Sequence, residues 1–150
     1  MKKIKGFTLV ELLVVIGIIG LLSALAVVSL GNIREKGRDT KRISDVDTLK
    51  TALELVNSEQ GTYNLGCKAG TAVSACTGGN LEEQLPAIKN IKDPSGTTSC
   101  GTDCTKPCDY AFAQLSDTSY EVRFYLEKGA GIYKDPGCYA LTPKGIERTK

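Results

Sequence analysis

The chain changes character once along its length. From Phe7 to Leu30 the sequence FTLVELLVVIGIIGLLSALAVVSL carries a single charge, Glu11, and it follows the basic leader MKKIKG. As a helix this run would span about 36 Å, enough to cross a hydrocarbon core of about 30 Å with some tilt. Beyond Leu30 the apolar residues thin to a stripe. Ile43, Val46, Leu49, Leu53 and Val56 recur at intervals of three and four, the period of an amphipathic helix. Gly61, placed after Asn57-Ser58-Glu59-Gln60, supplies a stop. The pattern predicts one helix of about 50 residues, roughly 75 Å long. A head of this size cannot bury such a helix alone, so its first half requires lipid or other copies of the chain as cover.

After Gly61 the helical period is lost. The stretch 61–107 is rich in Gly, Ser, Thr and Cys, with one short helix expected around Leu81 to Leu85 and stopped by Pro86. Alternation of period two returns from Tyr110 to Gln114. It returns again in Tyr120, Val122, Phe124 and Leu126, which interleave with Glu121, Arg123, Tyr125 and Glu127. A third strand is expected from Gly137 to Leu141, before Thr142-Pro143-Lys144-Gly145 turns the chain away. The expected fold is α+β, a long N-terminal helix whose amphipathic half packs on a small antiparallel sheet. The expected organisation is a leader at 1–6, an apolar helix at 7–30, its amphipathic continuation at 31–60, and a globular head at 61–150.

Glu11 is what this pattern leaves unexplained. A carboxylate at the centre of a membrane helix costs roughly 2.5 to 3.5 kcal/mol on insertion scales, and somewhat less near the interface. A cleaved secretory signal peptide would use Lys2, Lys3 and Lys5 as its basic region and Ala24-Leu25-Ala26 as its cleavage site. The apolar run is too long for that reading, and Glu11 interrupts it.

Lys5-Gly6-Phe7-Thr8-Leu9-Val10-Glu11, followed by the apolar helix, resembles the prepilin signature of type IV pilins and type II secretion pseudopilins. The resemblance implies cleavage by a prepilin peptidase between Gly6 and Phe7, N-methylation of Phe7, and retention of the apolar helix. It implies that Glu11 pairs with the new Phe7 amine of a neighbouring subunit. Such a pair acts as a register device, because a misplaced neighbour leaves a buried charge alone. The implied partners are the peptidase, identical or related pilin subunits, an inner-membrane assembly platform with its ATPase, and membrane lipid. The implied location is a single pass of the cytoplasmic membrane with an extracytoplasmic head, then an extracellular or periplasmic filament. One departure is Val28, where many members have a proline that bends the helix.

The head's chemistry fits this picture. All six cysteines, Cys67, Cys76, Cys100, Cys104, Cys108 and Cys138, follow the long helix. An even count in a small exported domain suggests disulfides, with Cys67–Cys76 as the suggested local pair. A zinc site on Cys100-x3-Cys104-x3-Cys108 is the competing reading. With His 0 in the chain there is no conventional triad and no imidazole base, so the chain reads as a substrate of enzymes rather than an enzyme. Major pseudopilins bind calcium in a C-terminal loop. Here Asp93, Asp103 and Asp109 are the weak candidates, Asp93-Pro94 echoing only part of the family pattern. Arg34, Lys36, Arg38, Lys41 and Arg42 form a basic cluster, read either as a solvated helix face or as a contact with anionic headgroups. Net charge is +2 and Trp is 0, and no basic stripe or stacking array marks a dedicated nucleic-acid site. A pseudopilin is preferred over an adhesion, motility or DNA-uptake pilin. The alternative of another class is a monomeric membrane-anchored binding domain.

Overall fold

The apolar run and the amphipathic stripe form one uninterrupted helix, α1, Leu9–Gln60. The computed structural model describes residues 6–101 and 104–149, in two units, Met1–Arg34 and Glu35–Lys150. In the first unit the helix is apolar on every side. Its large side chains are exposed, from Leu9 at 78% to Leu30 at 49%. It is long and apolar enough to cross a membrane. Among the described residues of this unit none packs against a core.

The second unit is built around the other end of α1. Val46, Leu49, Leu53 and Val56 are buried, and Ile43 packs at the edge of the same cluster. Gly61 ends the helix as the sequence predicts, with a positive φ of 69° and its N–H donated to the Asn57 carbonyl at 2.8 Å. A short helix α2 follows at Asn80–Gln84, flanked by single 3-10 turns at Val73–Ala75 and Ile88–Asn90. These turns put Leu65, Val73, Leu81 and Ile88 into the core, so the loop-rich stretch contributes apolar cover as well as staples.

Four antiparallel strands in simple meander order close the head: β1 Ala111–Leu115, β2 Tyr120–Leu126, β3 Gly137–Thr142 and β4 Gly145–Arg148. β2 alternates as its sequence does, with Tyr120, Val122, Phe124 and Leu126 buried. Those side chains join the α1 stripe in one core with Phe112, Tyr139 and Leu141.

The expectation for the C-terminus needs one correction. Thr142-Pro143-Lys144-Gly145 does not turn the chain away from the sheet. Thr142 pairs with Gly145, so Pro143-Lys144 is a two-residue hairpin loop that returns the chain as β4. That strand is only four residues long and half-exposed, too short to show a period in the sequence.

Candidate functional site

The N-terminal segment combines an extended start, a capped helix end and one acid. Gly6, Phe7 and Thr8 precede the helix, and Phe7 is 76% exposed, so the Gly6–Phe7 peptide bond lies in open, non-helical backbone. A side chain added at Gly6 would meet nothing within 4 Å. Packing within the described residues therefore gives no reason for glycine there.

Thr8 and Glu11 form a capping box, in which each side chain satisfies an N–H that the first helical turn leaves orphaned. The Thr8 N–H and hydroxyl donate to Glu11 Oε2 at 2.8 and 2.6 Å, and the Glu11 N–H donates to Thr8 Oγ1 at 3.3 Å. Thr-x-x-Glu ahead of an apolar run is a signal that the sequence reading passed over. Among the described residues no lysine or arginine pairs with Glu11. Its carboxylate is hydrogen-bonded but electrically unmatched.

The head contains the opposite arrangement. Arg42 and Asp39 are each 0% exposed. Arg42 donates to both Asp93 oxygens at 2.5 and 2.9 Å, to Asp39 at 2.7 Å, to Glu127 at 2.6 Å and to Ser95 Oγ at 2.6 Å. Asp39 also accepts the N–H groups of Glu127, Lys128 and Gly129 at 2.7 to 2.9 Å, which fixes the end of β2 to α1. Arg38 completes a two-point pair with Glu127. The Arg38 hydrogen bond, outweighing partial burial and aided by Arg42, holds the Glu127 carboxyl down to about 2. Burial works to raise the Asp93 carboxyl, but Arg42 and the N–H groups of Ser95 and Gly96 overcome it and leave it below its ordinary value. The same partners raise the Arg42 guanidinium against its own desolvation.

This network corrects the reading of the basic cluster. Arg42 is neither a solvated residue nor a headgroup contact, because it lies inside the protein. Arg38 is engaged by Glu127 and Lys41 by Asp45. The missed signal is the continuation of the apolar stripe. Asp39 and Arg42 stand three and four positions apart from each other and from Val46, on the face that buries Val46, Leu49 and Leu53.

Two of the acidic candidates for calcium, Asp93 and Asp109, are committed to partners within the head. Both oxygens of Asp93 face Arg42, and Oδ1 also accepts from Ser95 and Gly96. Asp109 Oδ1 accepts the N–H groups of Asp93 and Tyr110, and burial raises its carboxyl. A buried guanidinium beside the set replaces the cation that such carboxylates would otherwise attract. Asp103 lies outside the described residues.

Three disulfides join Cys67–Cys76, Cys100–Cys108 and Cys104–Cys138. The sulfurs of Cys100, Cys104 and Cys108, whose spacing in the sequence suggested zinc, do converge within 4.8 Å. Each is bonded in a disulfide, and zinc requires the thiolate. Cys104–Cys138 ties the loop to β3, and Cys104 and Cys108 pack with Ala111 at the back of the sheet.

An apolar helix that packs on nothing among the described residues, continuous in sequence with a disulfide-stapled α+β head, defines a pilin-like fold. A family model described as a prokaryotic N-terminal methylation motif matches residues 1–27. Fimbrial protein Q of Moraxella bovis is 33% identical over 102 residues, covering 65% of each chain. The type IV major fimbrial protein FimA of Dichelobacter nodosus is 26% identical over 97% of both chains. The type II secretion system core protein G of Pectobacterium carotovorum subsp. carotovorum is 39% identical over 59 residues, 39% of this chain and 38% of that protein. The chain is thus similar to type IV fimbrial proteins and to a type II secretion core protein, and it carries the N-terminal methylation motif at residues 1–27. It spans 65% of fimbrial protein Q and only 35% of a Pseudomonas aeruginosa fimbrial protein that it also matches. No solved structure matches it.

Proposed function

We propose that the chain is the structural subunit of a type IV pilus-like filament. It enters the cytoplasmic membrane as a precursor, is cleaved between Gly6 and Phe7 by a prepilin peptidase, and is methylated on the Phe7 amine. It then polymerises with identical or related subunits, driven by an inner-membrane platform and its ATPase. The observation that carries this reading is the apolar part of α1, whose described side chains from Leu9 to Leu30 are exposed and whose one acid pairs with no lysine or arginine among the described residues. Lipid covers the apolar surface but supplies no fixed cation. A neighbouring copy supplies both apolar cover and the Phe7 amine, which exists only after cleavage. The pairing favours the correct register because the wrong one isolates the charge.

Relatives of both the fimbrial and the secretion kind appear, so the preference for a pseudopilin is not separated from a pilus subunit. The proposal stands at the level they share.

The test is Glu11→Gln in the full chain, with sheared filaments quantified beside the membrane-bound pool. The expected result is a correctly cleaved protein that accumulates in the membrane, with filament yield at least about tenfold lower. Unchanged yield would overturn the pairing role and favour a monomeric anchored domain. Intact mass supplies the second check. A mature chain beginning at methylated Phe7 supports the processing route, and one beginning after Ala26 overturns it.

A further inference from the structure

The buried network fixes in place a loop with its own surface chemistry. β2 runs out at Leu126, and the next residues, 128–134, lie against Lys36 and Thr40 of α1. Between them is a recess of about 350 Å³ lined by Lys36, Thr40, Lys128, Gly129, Ala130, Gly131 and Lys134. All three lysines are exposed. Lys128 reaches Glu35 at 3.6 Å, while Lys36 and Lys134 have no side-chain partner among the described residues. Of the basic cluster on α1, burial and pairing have removed Arg42, Arg38 and Lys41. Arg34 and Lys36 are left, and the fold brings two lysines to Lys36 from a distant part of the sequence.

The loop also carries an apolar tip. Ala130 and Tyr133 exchange both backbone hydrogen bonds, at 2.8 and 3.0 Å, so Gly131-Ile132 is a tight two-residue turn. Ile132 stands at 82% exposure, while Leu55 at 44% is the other large exposed apolar residue in this unit. The turn is held rigidly. Gly129 has a φ of 85°, and a Cβ there would lie 2.3 Å from the Tyr133 carbonyl oxygen. Its N–H is fixed by Asp39. An isoleucine presented this way beside uncommitted lysines is the chemistry of an interfacial membrane contact. The chain itself limits the distance. Lys36 is six residues beyond Leu30, so its backbone lies within about 21 Å of the end of the apolar run whatever the path.

We propose that this recess binds the phosphate of an anionic phospholipid headgroup, with Ile132 entering the headgroup boundary beside it. The head then rests on the membrane surface through lysines that do not belong to the core. This rests on the anchored reading given above.

The test uses the full chain in nanodiscs of phosphatidylcholine, alone or with an equal part of phosphatidylglycerol. Lysines are acetylated in a short pulse and read by mass spectrometry. Lys36 and Lys134 are expected to react about fivefold more slowly with phosphatidylglycerol, in line with the attraction of one lysine to an anionic surface. Lys106 and Lys144 serve as exposed controls and should not change. Ile132→Ser should reduce the protection, and the Lys36→Glu/Lys134→Glu double variant should abolish it at Lys128. Equal rates in the two discs would overturn the proposal. Protection of the same lysines by inorganic phosphate added to phosphatidylcholine discs would overturn the lipid source and leave a free-anion site. A chain that does not enter phosphatidylcholine discs overturns the anchored reading, and this one with it.

Discussion

The two ends of α1 treat a charge among apolar neighbours in opposite ways. Around Glu11 the helix offers one acid, a threonine to hydrogen-bond it, and no cation among the described residues. Around Arg42 the helix and two other segments offer three carboxylates and a hydroxyl to one guanidinium. A buried charge is tolerated when its partners are fixed in place and is costly when they are missing. The Arg42 end is therefore complete within one chain. The Glu11 end has no cation among the described residues, and under the proposed function a neighbouring copy supplies it. The difference separates a head that closes on itself from a helix end that, under the proposed function, is left open for assembly.

The comparison is most sharply tested at Arg42. Arg42→Met keeps much of the volume but leaves Asp39, Asp93 and Glu127 without their common partner. The expected loss is about 3 to 5 kcal/mol of head stability, read as a drop in the urea midpoint. Arg38→Ala breaks one partly exposed pair and should cost about 1 kcal/mol or less. If the two substitutions cost the same, the guanidinium is not the keystone that its contacts suggest. Next in size are the disulfides. Removing Cys104–Cys138, which spans 34 residues, should cost about 4 kcal/mol, against about 2.5 for Cys100–Cys108, which spans 8, if loop closure governs both. Serine pairs at each bridge, followed by chemical denaturation, decide the order.

What the sequence made legible follows the same division. Leu9–Leu30 could be read without a structure because it depends on no packing among the described residues of the chain, and composition alone encodes that. The stripe Val46, Leu49, Leu53 and Val56 and the alternation of β2 were equally legible, since each element carries its own period. The Arg42 network was not. Asp93 and Glu127 stand 51 and 85 residues away along the chain, and only the fold brings them to one guanidinium. β4 was missed because its pairing is set by a hairpin turn rather than by a pattern of its own. The Thr8–Glu11 box was the reverse case, written in four adjacent residues but obscured by the larger question of what the acid was for.

Acid supplies a gentler probe of the closed end. The Glu127 carboxyl is held near 2 in the folded head against an ordinary 4.5. Its folded value lies below its unfolded one, so its contribution is complete above about pH 4.5 and is lost as pH falls toward 2. Asp93 is shifted in the same direction. Stability between pH 5 and 2.5 should fall further in the wild-type head than in Arg42→Met, which lacks the shared partner of Asp93 and Glu127 but keeps Arg38, the larger cause of the Glu127 shift. Urea midpoints across that range in both proteins test this. Parallel curves would mean that Arg42 does not set the acid response.

The smallest expected effect belongs to the open end. Thr8→Ala removes the hydroxyl that donates to Glu11 and accepts the Glu11 N–H, while leaving the backbone donor in place. Capping losses of this kind amount to about 1 kcal/mol. Only the first turn, Leu9 to Leu12, should exchange its amide hydrogens faster, and the urea midpoint of the head should not move. The carboxylate of Glu11 would at the same time lose its nearest neutral competitor for a cation. If Thr8→Ala instead destabilised the head, the two ends of α1 would be energetically coupled, and the contrast between a closed and an open end would fail at its smallest term.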